Sequence, residues 1–264
     1  MDLHLTGKRA IVTGGSRGIG FAAATALAAE GADVAIVART RQALDDAAFR
    51  LTRHGHRVLP VVADTADDDS VRAMVARVVD EFGGVDILVN AAAQPASPGA
   101  AGGVGTADDD VRREVETKVL GYLRCARAVA PHLVEQGWGR IVNVSGLAAR
   151  QASSVAGSIR NVAVAAMTKT LADELGPSGV NVTVVHPGVT VTERTPGMLK
   201  AMAEARGVSE SDAEAALAAQ VSIGRLVTAE EIGDVIAFLA SPRSVPINGD
   251  AVAVGGGAKG AIHY

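Results

Sequence analysis

The chain has 264 residues, a formal net charge of −4 and 48% hydrophobic residues, with aromatics at only 3%. A core of that composition is built from Ala, Val, Leu and Ile, as in a buried parallel sheet under Ala-rich helices, and the length fits one large α/β domain spanning 1–264. Charges of both signs are interspersed, no run approaches the ~18 apolar residues of a membrane span, and Cys125 stands alone; nucleic acid, membrane insertion, internal disulfides and multi-thiolate metal sites are thereby excluded.

Short Val- and Ile-rich runs alternate with longer Ala-rich segments of helical spacing, which predicts repeated βαβ units wound on both sides of a seven-stranded parallel sheet. The first strand, 9–13, leads through Thr13-Gly14-Gly15-Ser16-Arg17-Gly18-Ile19-Gly20 into a helix at 18–30. Glycines at that turn let backbone N–H groups and the helix N-terminus approach a pyrophosphate, so Thr13, Gly14, Ser16, Arg17, Gly18, Ile19 and Gly20 are candidate dinucleotide contacts. The second strand, 33–38, ends in Ala38-Arg39-Thr40. A carboxylate at that tip would accept from an adenosine ribose and repel a 2′-phosphate. Ala38 stands there instead, beside Arg39 and within reach of Arg17, and guanidinium groups suit phosphate; the expected cofactor is NADP(H) rather than NAD(H).

A helix at 40–54 and a strand at 57–62 follow, closed by Asp64 and Thr65, where a carboxylate can meet the adenine amino group. After a helix at 67–82, a strand at 86–90 ends in Asn90-Ala91-Ala92-Ala93, small residues against which a cofactor can lie flat. The Gly-, Ala- and Pro-rich stretch Pro95 to Thr106 predicts a mobile loop beside the crevice. One long helix, 109–136, is expected next, then a strand at 139–144 ending in Asn143-Val144-Ser145-Gly146, a helix at 155–175 and a strand at 180–185. The insert 192–223 holds two short helical patterns, the later opened by Ser211 with Glu214 as a capping box, and is expected to form a lid with Met198, Leu199 and Met202 as an apolar wall. A helix at 229–240 and a strand at 250–254 complete the series. The N-terminal segment lacks the apolar stretch of an export signal, which with the single cysteine predicts a cytoplasmic location. The histidines show no metal spacing, so no metal is expected, and Trp138 is expected to pack.

The Thr13–Gly20 loop, Asp64, Asp86-Ile87-Leu88-Val89-Asn90, His186-Pro187-Gly188 with Thr190 and Thr192, and the later Gly224-Arg225, Glu230-Glu231-Ile232, Asn248-Gly249 and Gly255-Gly256-Gly257 resemble the short-chain dehydrogenase/reductase family. The resemblance covers nearly the whole chain and implies a doubly wound Rossmann fold. It implies that Pro187, Gly188, Val189, Thr190 and Thr192 hold the nicotinamide carboxamide. It also implies a homotetramer or homodimer, with Tyr122, Cys125, Val129, Ala165 and Leu171 buried between subunits.

Members of that family usually reduce a carbonyl with a Tyr as proton donor, a Lys four residues later that lowers its pKa and holds the ribose, a Ser that polarises the carbonyl and an Asn that carries a water relay. Counting back from Met167-Thr168-Lys169-Thr170-Leu171 puts Gly157 at the tyrosine and Asn161 at the lysine. Counting back from Ala130-Pro131-His132 puts Lys118 at the relay Asn. Gly146 falls at the serine, with Ser145 the nearest substitute. Lys118, Ser145 and Asn161 are therefore the candidate catalytic residues, with Arg160, Ser153 and Ser154 as polar neighbours. The leading reading is an NADP(H)-dependent oxidoreductase that acts on a small or medium carbonyl or alcohol by an atypical proton path. Two others stay open: a cofactor-binding protein without hydride chemistry, serving as structural partner or redox sensor, and a non-redox enzyme on the same scaffold.

Overall fold

The computed structural model describes residues 1–93 and 103–260. Along the chain run β1 (Arg9–Thr13), α1 (Gly18–Ala29), β2 (Asp33–Ala38), α2 (Arg41–Leu51), β3 (Val58–Val62), α3 (Asp68–Phe82), β4 (Ile87–Asn90), α4 (Asp108–Glu114), a π-helical turn (Val115–Leu120) and α5 (Gly121–Glu135). There follow β5 (Gly139–Val144), α6 (Val155–Leu175), β6 (Val180–Pro187), β7 (Thr190–Val191), α7 (Thr195–Arg206), α8 (Glu210–Ala218), β8 (Val227–Thr228), α9 (Ala229–Leu239) and β9 (Ala251–Val254).

Seven strands form one parallel sheet in the order β3-β2-β1-β4-β5-β6-β9, and β7 pairs with β8 separately. This is the doubly wound Rossmann fold. Its strands read as continuous apolar runs because both faces are covered. Alternate residues of β1 show the division: Ala10 and Val12 join Leu27, Leu44, Ile232 and Ile236 on the face under α1, α2 and α9, while Ile11 joins Val71, Met74, Cys125, Val129 and Leu133 under α3 and α5. Close approach of α1 and α9 depends on Gly233, where an added Cβ would lie 2.7 Å from the Ala22 carbonyl oxygen. At the end where the strands begin, Arg9 clasps Asp86 through Nε and Nη2 at 2.6 and 3.0 Å, and fully buried Arg140 donates to the carbonyls of Ser241 and Gly139. The Lys8 ammonium and the Arg140 guanidinium both lie over the Trp138 ring, 3.9 and 4.6 Å from its centre.

Several expectations need correction. The helix expected at 109–136 is broken by the π turn, and the one at 40–54 leaves the α form at Leu51 for a single 3₁₀ turn. In the 192–223 insert the capping box is formed by Ser209 and Asp212, because α8 starts at Glu210 and Ser211 already lies within its first turn. Leu199 and Met202 face the insert's own small core with Ala203, Ala213 and Leu217, so they build no crevice wall. Of the loop expected from Pro95 to Thr106, residues 95–102 lie outside the described residues; Gly103–Gly105 form a 3₁₀ turn. Tyr122, Cys125 and Val129 are buried within the single chain, and Ala165 and Leu171 pack on the same interior clusters. Tyr122, Cys125 and Val129 are therefore not on a surface that a second subunit could cover, whereas Ala165 and Leu171 stay partly exposed on α6.

Candidate cofactor and active site

All seven strands point the same way, so the loops that follow them meet along one edge of the sheet. A crevice of about 890 Å³ opens there, across the point between β1 and β4 where the strand order reverses, the position at which open α/β sheets bind ligands. Its floor is the loop between β1 and α1. An added Cβ at Gly14 would lie 2.8 Å from the Ala91 carbonyl oxygen, and one at Gly20 would lie 2.3 Å from that of Gly14, so the loop folds tightly on itself and only glycine fits. Such a cradle presents bare backbone at a helix start and fits a dinucleotide's pyrophosphate.

Gly14, Ser16, Arg17, Gly18, Ile19 and Gly20 line the crevice, as do Arg39 and Thr40, Asp64 and Thr65, Ala91 and Ala92, and Pro187, Gly188, Val189, Thr190 and Thr192. Arg17 and Arg39 are exposed, and Ala38 lines the same crevice. Thr13 and Asn90 are not on the wall. The Thr13 hydroxyl accepts from the N–H groups of Ala91 and Ala92 (3.2 and 3.3 Å), and so fixes the end of β4 from behind. Asn90 donates to Asn143 Oδ1 (3.0 Å), and Asn143 Nδ2 in turn donates to Thr168 Oγ1 (2.9 Å), forming a buried chain that ties β4 to β5 and α6.

The three candidate catalytic residues meet. Lys118, from the π turn, donates from Nζ to the Ser145 carbonyl (2.9 Å) and to Asn161 Oδ1 (3.1 Å). Ser145 Oγ donates to the Asn161 carbonyl (3.0 Å) and lies 3.3 Å from Asn161 Oδ1. Burial alone brings the Lys118 ammonium down to a pKa of about 8; no carboxylate offsets the loss of hydration. An ammonium has three N–H donors, so one remains beyond the two bonds described. Ser145 spends its donor inward on Asn161, which disfavours it as the group that polarises a substrate carbonyl.

The neighbours expected to help do other things. Ser154 caps α6, its hydroxyl accepting from the Gly157 N–H at 3.1 Å. A Cβ at Gly157 would sit 2.7 Å from Ser154 Oγ and 3.2 Å from Ser153 Oγ, and Gly157 is not on the crevice wall. Arg160 lines the crevice but is paired with Glu114 on α4. Tyr122 donates its hydroxyl to the Val144 carbonyl (3.1 Å), and burial raises its pKa, so it is no replacement acid. The chain's other tyrosine, Tyr264, lies outside the described residues. Gln151, Leu217, Gln220 and Val221 also line the crevice and were not marked by any sequence pattern, since only the folding of distant loops brings them there. Among the described residues no cluster of His, Cys, Asp or Glu could hold a metal ion, and no helix is long and apolar enough to cross a membrane.

The model of a family described as enoyl-(acyl carrier protein) reductase matches residues 14–259. A short-chain reductase protein, NovJ, of Streptomyces niveus is 36% identical, over 94% of this chain and 92% of that protein. The cis-4-hydroxycyclohexanecarboxylate dehydrogenase of Sinomonas cyclohexanicum is likewise 36% identical, over 94% and 95%. Among solved structures, L-sorbose reductase from Gluconobacter frateurii complexed with NADPH and L-sorbose superposes with a TM-score of 0.92 at 31% identity, covering 99% of this chain and all of that one. The chain belongs to the short-chain dehydrogenase/reductase family, whose members are nicotinamide-cofactor oxidoreductases.

Proposed function

We propose that this protein is an NADP(H)-dependent oxidoreductase of a small or medium carbonyl or alcohol, with Lys118 in place of the usual tyrosine as proton carrier. The bond from Lys118 to Asn161 carries this reading. The two helix positions at which the resemblance expects a lysine and an asparagine hold the same two residue types with their places exchanged, and their side chains touch. A cation is thus kept between the helices, delivered from the opposite side. The bound cofactor supplies or accepts the hydride. Lys118 holds the proton: its remaining N–H can reach an oxygen in the crevice, and burial has brought its acidity near neutrality. Asn161 orients the ammonium, and the Ser145 carbonyl fixes its second bond. Arg17 and Arg39 favour a 2′-phosphate, and the NADPH complex of L-sorbose reductase supports the same choice.

A second reading, binding without turnover, is favoured by Gly157 and by the inward donation of Ser145. One experiment separates them. Calorimetry should give NADPH at least ~10-fold tighter than NADH, equivalent to about 1.4 kcal/mol, with the preference lost in Arg39→Asp. NADPH consumption should then follow addition of some member of a panel of ketones and aldehydes. Tight binding with no consumption across the panel supports the second reading, and equal affinity for the two cofactors defeats the NADP(H) assignment.

A further inference from the structure

We propose that Glu193 is a built-in competitor for the cofactor's pyrophosphate, a residue that sets dinucleotide affinity by having to leave the anion site. The proposal rests on the dinucleotide reading above. Helix α1 starts without a local cap: Arg17 holds the N-cap position, gives no side-chain bond, and no acidic residue stands in the first turn. The first N–H groups of a helix have no partner within it and carry its positive end. Here the partner comes from 175 residues away, as Gly18 N–H donates to Glu193 Oε2 at 3.2 Å. A carboxylate of the chain therefore takes the bond that the glycine loop would offer to a phosphate oxygen.

The turn that carries the exposed Glu193 side chain is held in place against the loop. An added Cβ at Gly18 would meet Thr192 Cγ2 at 3.8 Å and both Glu193 carboxylate oxygens at 4.0 Å, so this turn lies directly over the loop. The turn is fixed from beneath. Buried Thr195 accepts from Thr192 N–H (2.8 Å) and donates to the Thr190 carbonyl (3.2 Å), while β7 pairs with β8. Glu193 lines the same crevice as the glycine loop. A pyrophosphate seated on Gly18 N–H would have to displace this carboxylate and would then face a like charge across a short gap.

The test titrates the full-length protein, Glu193→Gln and Glu193→Ala with NADP⁺ and, separately, with adenosine 2′-monophosphate. The second probe carries the 2′-phosphate but no pyrophosphate. Both variants should bind NADP⁺ at least about fivefold tighter, the scale of one competing hydrogen bond, with affinity for adenosine 2′-monophosphate unchanged within twofold. Amide exchange at Gly18 without ligand should quicken in both variants, a readout that needs no cofactor. NADP⁺ affinity that is unchanged or weaker in the variants overturns the proposal and leaves the dinucleotide reading standing. Failure of all three proteins to bind NADP⁺ or NADPH overturns both.

Discussion

At the scale of single residues, Lys118 governs two pH dependences. Its pKa in the folded protein is about 8 against an ordinary value of 10.5, and burial is the cause. Below about pH 8 both the folded and the unfolded chain hold the proton, and the folded protein bears the full cost of a buried charge. Between about 8 and 10.5 the unfolded chain holds more protons than the folded one, so stability rises with pH, by at most about 1.4 kcal/mol per unit. Lys118→Met should therefore be more stable than the parent at pH 7, with the gap closing as pH approaches 10; denaturant unfolding across that range checks it. Carbonyl reduction needs the ammonium, so turnover should fall as pH rises through about 8 and should be lost in Lys118→Met, with NADPH affinity held within a few-fold. Turnover that survives in Lys118→Met would assign the proton to another group.

At the scale of elements, the N-terminal turn of α6 decides whether an ordinary active site can be restored. Tyrosine at position 157 would bring its Cβ to 2.7 Å from Ser154 Oγ, the atom that caps the helix. Gly157→Tyr alone should cost about 1 kcal/mol through the displaced cap, whereas in a Ser154→Ala background, where the cap is already gone, the same substitution should cost less; a thermal double-mutant cycle measures the difference. The sequence made most elements legible because fully covered strands leave unbroken Val and Ile runs and helices leave their spacing. The π turn left no such mark, since one extra residue in a helical ladder changes hydrogen bonding and not composition. Yet counting through α4 to α6 still brought Lys118, Ser145 and Asn161 together, because the strand ends and helices that carry them are rigid. Glu193 was illegible for the opposite reason: a contact spanning 175 positions belongs to no local pattern. The faces of Tyr122, Cys125 and Val129 were misassigned because an apolar stripe looks the same whether a sheet or a second subunit covers it.

At the scale of the whole molecule, the apolar surface that remains points to self-association. Val155, Ile159 and Val162 of α6 are 37%, 44% and 51% exposed and recur at i, i+4 and i+7, one face of a helix, and Leu120 of the π turn is 38% exposed. We expect a homodimer or homotetramer whose helices meet along that stripe, and Val162→Asp should shift it to smaller species in light scattering at micromolar concentration, with the fold retained by circular dichroism. A parent protein that is monomeric under those conditions would remove the stripe from consideration. The parallel sheet also gives the molecule two ends with separate duties. Where the strands finish, their loops line the crevice; where they begin, Arg9, Asp86, Arg140 and Trp138 bond and pack with structural neighbours away from it. Tolerance to change is divided accordingly: the far end can be rebuilt for hardiness, by trading Arg9 and Asp86 together for apolar side chains of matching volume, without altering what the crevice accepts.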